Sequence, residues 1–198
     1  MKYFTPKEIA FLGMMAAANS VVEISLGSLM HSLHIPGKSI ILVTINMIIY
    51  FAALKATGKK GSIIITGFIT AFIKLIYGWE FSKLGPAFAI FSEAAIMELC
   101  VMLMPLKSWS SIITGGIVKA YTMYFPLVSY LIFGGGKGAK VLKKLITDIE
   151  KIFPAMSFEL MVAAATVWNI IIGAALGYIA YKTAEKAVEI YKLRSKTA

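Results

Sequence analysis

The apolar residues of this chain come in continuous runs of about 17 to 25 residues, the span of a helical membrane crossing, separated by short gaps that gather much of the charge. A helix rises 1.5 Å per residue, so about 20 apolar residues cross a hydrocarbon core of roughly 30 Å. An outer-membrane strand would alternate apolar and polar residues over about ten positions, and these runs do not alternate. Of 198 residues 59% are hydrophobic and 15% charged, with a mean hydropathy of +0.79, which leaves too little polar surface to coat a water-soluble domain. The expected fold is therefore all-α: a polytopic membrane protein forming a single membrane domain over residues 1–198, with six transmembrane helices at about 9–33, 40–56, 63–79, 84–106, 109–133 and 158–181. Ala16-Ala17-Ala18 mimics a signal-peptide cleavage site, but the apolar run continues to Leu33 and reads as a retained helix.

One connection stands apart in length. Between Gly134 and Ser157 the chain opens on Gly134-Gly135-Gly136 and closes at Pro154, and Val141, Leu142, Leu145, Ile146, Ile149 and Ile152 recur at helical spacing. That pattern predicts an amphipathic helix over 137–153, between spans five and six, serving either as an interfacial anchor or as a lid over a ligand. Orientation follows from Lys and Arg in the connections. With the N-terminus inside, 11 fall on the cytoplasmic side and 7 outside, while Lys74 and Lys119 lie within spans. Both termini are thus expected in the cytoplasm of a multi-pass cell-membrane protein. The net charge of +10 comes from lysines flanking apolar runs, which suits anionic lipid headgroups and not nucleic acid.

Charged groups at bilayer depth are costly unless they line a cavity or find partners, so those inside spans are the candidates for function. In the first span Asn19, Glu23, Gly27 and His31 recur every four residues, with His34 just beyond. Asn46 lies in the second span, Lys74 and Trp79 in the third, Glu93 and Glu98 in the fourth, Lys119, Tyr121 and Tyr124 in the fifth, and Asn169 in the sixth. Given an inside N-terminus, many of these approach the outer face. The expected substrate site is Glu93, Lys74, Tyr124, Asn169, His31, His34, Trp79 and Glu23, suited to a zwitterionic or polar heteroaromatic ligand. The competing reading is that these charges pair only to hold helices together.

Enzyme and metal signatures are missing. The sequence holds no H-E-x-x-H, no G-x-S-x-G and no G-x-x-x-x-G-K-[ST], so no catalytic residue is assigned and any energy from ATP must come from another chain. His31 and His34 are three apart, but Pro36-Gly37 ends the helix and Cys100 lies too deep to join them, so neither a metal nor another cofactor is expected. Cys100 is the sole cysteine and reads as a packing residue. Small residues four apart, Gly13 with Ala17 and Gly173 with Gly177, allow close helix approach.

The chain resembles the substrate-binding S components of energy-coupling factor (ECF) transporters, six-helix membrane proteins of about this size. The resemblance rests on span number, on Gly13-x-x-x-Ala17 standing where the family's A-x-x-x-A motif falls, and on the stretch from Glu23 to Gly37 leading into the first outer loop. His34-Ile35-Pro36 is similar to the His-Ile-Pro signature of cobalt-type and nickel-type members, but there the histidine adjoins the amino terminus, and its internal position here argues against those metals as substrates. The resemblance implies capture of a vitamin-like micronutrient at the outer face, toppling within the bilayer, and docking through Gly13 and Ala17 on a transmembrane coupling subunit driven by two cytoplasmic ATPases. The alternative is a non-transporting membrane scaffold or accessory subunit.

Overall fold

The computed structural model describes residues 4–33, 38–77, 84–133 and 157–197. Helix α1 (Pro6–Val21) passes through a π-helical turn (Val22–Leu26) into α2 (Gly27–Ser32), followed by α3 (Lys38–Thr57), α4 (Ser62–Ile76), α5 (Leu84–Leu103), α6 (Ser108–Phe133) and α7 (Phe158–Thr197). No described residue lies in a strand. Four helical stretches are long and apolar enough to cross a membrane by length and composition: Pro6–Met30, Ser39–Thr57, Leu84–Leu103 and Glu159–Lys192. A helix underlies each of the six apolar runs, but α4 is a shorter apolar helix of 15 residues that stops at Ile76. The expected amphipathic segment at 137–153 lies outside the described residues.

The last helix outruns its expected boundary at 181. It has 40 residues, about 60 Å of helix at 1.5 Å per residue. Beyond Tyr181 the apolar period persists at Ala184 and Val188, four apart on one face, and both are buried against the core. Glu185 fixes this extension to α3, accepting from Lys55 Nζ at 3.0 Å, and Lys55 also sits over the Tyr181 ring.

Helix α3 is the centre of the bundle and touches α1, α2, α4, α6 and α7. It is apolar around its circumference, as a helix without a solvent face should be: Met47, Tyr50, Phe51 and Ala53 are fully buried. The other helices turn large apolar side chains outward. Phe68, Phe72, Leu103 and Trp168 are each more than half exposed, an exterior that fits a hydrocarbon solvent and not water.

Two contacts fix the lower rim, the end of the bundle where α1, α5 and α6 meet the α3–α4 turn. Thr5 and Glu8 form a capping box at the start of α1, with Pro6 in the first helical turn, and Glu8 also meets Lys59 Nζ at 2.6 Å. At α4 no local side chain caps the helix. Gly61 sits before it at φ 96°, a left-handed conformation that glycine adopts without strain, and Glu98 from α5 takes the orphan amides instead. Its Oε1 accepts from the Gly61 amide at 2.7 Å, and its Oε2 from Ile63 at 3.0 Å and Ile64 at 3.3 Å. Glu98 is thus a tertiary cap, away from the other intramembrane acids.

Glycine makes the tightest interface. A Cβ on Gly115 of α6 would stand 2.1 Å from the Gly173 carbonyl of α7, and one on Gly177 would stand 2.1 Å from the Ser111 carbonyl. Backbones this close exclude any side chain. Gly177→Ala is therefore expected to destabilise the fold by the ~1–3 kcal/mol typical of overpacking, read as a lower thermal midpoint in detergent by circular dichroism. Gly13→Ala, whose methyl would meet nothing within 4 Å, should not lower it.

Candidate functional site

A stripe with a four-residue step overshoots the 3.6-residue turn by about 40° each time, so a regular helix would carry Asn19, Glu23 and Gly27 progressively out of line. The π-helical turn absorbs the overshoot. The Gly27 amide reaches back to the Val22 carbonyl, five residues away, as well as to Ile24. Asn19 is consequently fully buried, Glu23 is 6% exposed, and Gly27 faces Leu42 of α3.

Glu23 points between α3 and α4, and each of these two helices supplies a partner. Lys74, in the last turn of α4, approaches Glu23 Oε2 at 2.6 Å, reaching back from the bundle end with its side chain 19% exposed. Asn46, from α3, donates from Nδ2 to Glu23 Oε1 at 2.9 Å and to Glu93 Oε2 of α5 at 3.2 Å. One amide nitrogen thus spends its two hydrogens on two carboxylates. Among the described residues Glu93 makes no ion pair, although it is 5% exposed.

These groups line a cavity of about 200 Å³. Its remaining walls come from Ser39, Leu42 and Val43 of α3, Pro86, Ala89 and Ile90 of α5, and Tyr121, Thr122 and Phe125 of α6. The first turns of α3 and α5 and the last of α4 contribute, so the cavity lies at the bundle end opposite the Glu98 cap. Lys119 stands behind this wall: it is 4% exposed and donates to Ser39 Oγ at 3.0 Å. Tyr121 donates to Ser92 Oγ at 2.6 Å, which fixes its ring, and Phe125 packs edge-on against it. Deeper in, Asn19 Nδ2 donates to the Tyr50 hydroxyl at 3.4 Å.

Of the residues expected from the sequence, Glu23, Lys74 and Glu93 come together on this cavity. Tyr124 and Asn169 do not line it. The Tyr124 hydroxyl lies 2.5 Å from Thr166 Oγ1, and Asn169 Nδ2 donates to the Ala165 carbonyl at 2.8 Å and approaches Met123 Sδ, so both serve the α6–α7 contact. His31 is in the last turn of α2, while His34 and Trp79 lie outside the described residues. Gly13 and Ala17 sit on α1 with no described helix over them: Ala17 is exposed and the space beyond Gly13 is open among the described residues. Asn46, Ser39, Tyr121 and Phe125 complete the site without having been assigned to it. The signal for Asn46 was its type, since it is a buried two-hydrogen donor in a chain with intramembrane carboxylates. No group of three or more His, Cys, Asp or Glu among the described residues could hold a metal ion.

The ion pair at the wall carries a test. Removing one partner of a buried pair strands the other charge, at a cost of about 3–5 kcal/mol, whereas removing both is often near neutral. Lys74→Met alone should lower the thermal midpoint in detergent markedly, and Lys74→Met with Glu23→Leu should recover most of the loss. An additive double variant would show that the two side chains do not interact. Comparison with known proteins finds no matching family model, no matching curated protein and no matching solved structure, so a functional reading rests on this geometry alone.

Proposed function

We propose that the chain is a membrane-embedded substrate-binding subunit that captures a small polar molecule from the outer face and passes it to partner subunits, as the resemblance to ECF S components implies. The cavity carries this reading. It combines apolar walls with a few placed polar groups, as small-molecule sites do, and it lies at one end of the bundle where a solute enters without crossing the core. With the N-terminus in the cytoplasm this is the outer end. The lysine-rich opposite end, with Lys55, Lys59 and Lys60, then meets the cytoplasmic leaflet as the positive-inside trend requires.

The face of α1 that no described helix covers supports a partner. Gly13 and Ala17 present a smooth strip beside exposed Met14 and Val21, and small residues let a second helix approach closely. This strip is the docking face for a transmembrane coupling subunit, with ATP hydrolysed by two further subunits on the cytoplasmic side. The scaffold reading draws on a different observation, the Glu98 cap, in which a buried acid serves structure alone.

Two measurements decide between them. Native mass spectrometry of the purified protein should find a co-purified small molecule, and Glu93→Gln should weaken its binding by roughly tenfold, the loss of one charge-assisted contact, while the protein stays monodisperse. A protein that carries no ligand from any extract is a scaffold. Gly13→Leu with Ala17→Leu should block co-purification of partner subunits without changing ligand affinity. An intact complex from that double variant would return the strip to lipid.

A further inference from the structure

Around Glu93 and Asn46 the cavity wall leaves acceptor capacity open. Asn46 is 2% exposed, and its Oδ1 has no hydrogen-bond partner among the described residues. Its orientation is fixed, because turning the amide over would set a carbonyl oxygen against two carboxylates. Glu93 receives one hydrogen bond, from Asn46, and has no cation within ion-pair distance among the described residues. The cationic head on the wall, Lys74, is already engaged by Glu23 at 2.6 Å, and Lys119 stands behind Ser39 and does not line the cavity. Lys74 keeps two hydrogens of its own, but the open positions at Glu93 and Asn46 are acceptors. A buried acceptor left unpaired is costly, so a ligand that brings donors gains most here.

Shape and aromatic content narrow the class. A cavity of about 200 Å³ is smaller than the roughly 300–1,000 Å³ typical of drug-sized ligand sites and so suits a compact molecule. Tyr121 and Phe125 line the side contributed by α6, and aromatic faces attract cations. An anionic ligand would instead face Glu93, which no described cation approaches at ion-pair distance, across the same small space.

We infer that the substrate is a compact nitrogenous cation, a protonated amine or amidine-like ring that places N–H donors on Glu93 and Asn46 Oδ1 and its ring against Tyr121 and Phe125. This rests on the reading of the cavity as a substrate site, and it selects the cationic class from the zwitterionic and heteroaromatic ones the sequence leaves open. Glu93 neutralises the charge and Asn46 reads the donor. A quaternary ammonium satisfies the first and not the second.

Five single-ring probes test this on the purified full chain in detergent: benzamidinium, benzylammonium, benzyltrimethylammonium, benzoate and benzyl alcohol. Each is titrated while the thermal midpoint is followed, since a ligand that binds the folded state raises it. Benzamidinium and benzylammonium should raise the midpoint in a concentration-dependent way, benzyltrimethylammonium should do so less, and benzoate and benzyl alcohol should not. Glu93→Gln should weaken benzamidinium by roughly tenfold or more. The ranking on the unaltered protein stands whether or not that variant folds. Equal protection by benzyl alcohol, stronger protection by benzoate, an unchanged response in Glu93→Gln, or no protection by any probe overturns the cationic assignment. In those cases a neutral or anionic molecule found by native mass spectrometry keeps the substrate-binding reading, and no bound molecule at all overturns that reading too.

Discussion

Two carboxylates facing one cavity inside an apolar bundle need donors, and the central helix supplies them from a single amide. Asn46 sits on α3, which touches α1, α2, α4, α6 and α7, so the groups it holds are fixed to a well-buried element of the bundle. Its bonds to Glu23 and Glu93 tie α1 to α5 across α3, and Lys74 brings in α4 through Glu23. The polar cluster is therefore both the junction of four helices and the wall of the cavity. A site built on packed helices is held more rigidly than one on loops.

The two ends of the bundle are organised differently. At one end Thr5, Glu8, Lys59, Glu98, Lys55 and Glu185 close the helix termini with caps and ion pairs. At the other, the polar side chains turn inward around open space. Between them the glycine contact of α6 with α7 and the Gly67–Ala94 approach of α4 with α5 pack the helices by shape alone, without polar groups to satisfy. Stability is thus concentrated below the cavity and in the interfaces beside it.

The helical runs were legible because a 3.6-residue period and continuous apolar composition leave little choice of secondary structure. Glu23, Lys74 and Glu93 were legible as a group because each is an isolated charge in an apolar run and such charges converge. Asn46 was visible as a polar residue, but its role depends on receiving two carboxylates 23 and 47 positions away, which no local pattern encodes. The same holds for Glu98, whose partners lie 34 to 37 residues earlier. On α6 the choice between Tyr121 and Tyr124 turned on a helical rotation of about 60°, finer than a sequence pattern resolves. Tyr124 meets Thr166 of α7 instead. The reach of α7 past Tyr181 was missed because lysines and glutamates end an apolar run without ending a helix.

The π-helical turn at Val22–Leu26 sets the phase between the two halves of the first helix. It divides one continuous rod into two phases: a leading part that offers Gly13 and Ala17 to the exterior, and a trailing part that sets Gly27 against Leu42 beside the cavity. Losing one residue from the turn would only restore a uniform pitch, because the wide turn already absorbs one extra residue, but losing one from the regular helix before it would rotate everything after by about 100° relative to everything before. The helix would survive, and every side chain on one half would face a different neighbour. Substitutions in this segment change a contact, whereas an insertion or deletion in the regular helix changes the relation between two faces, so the reading frame of the helix is itself part of the design.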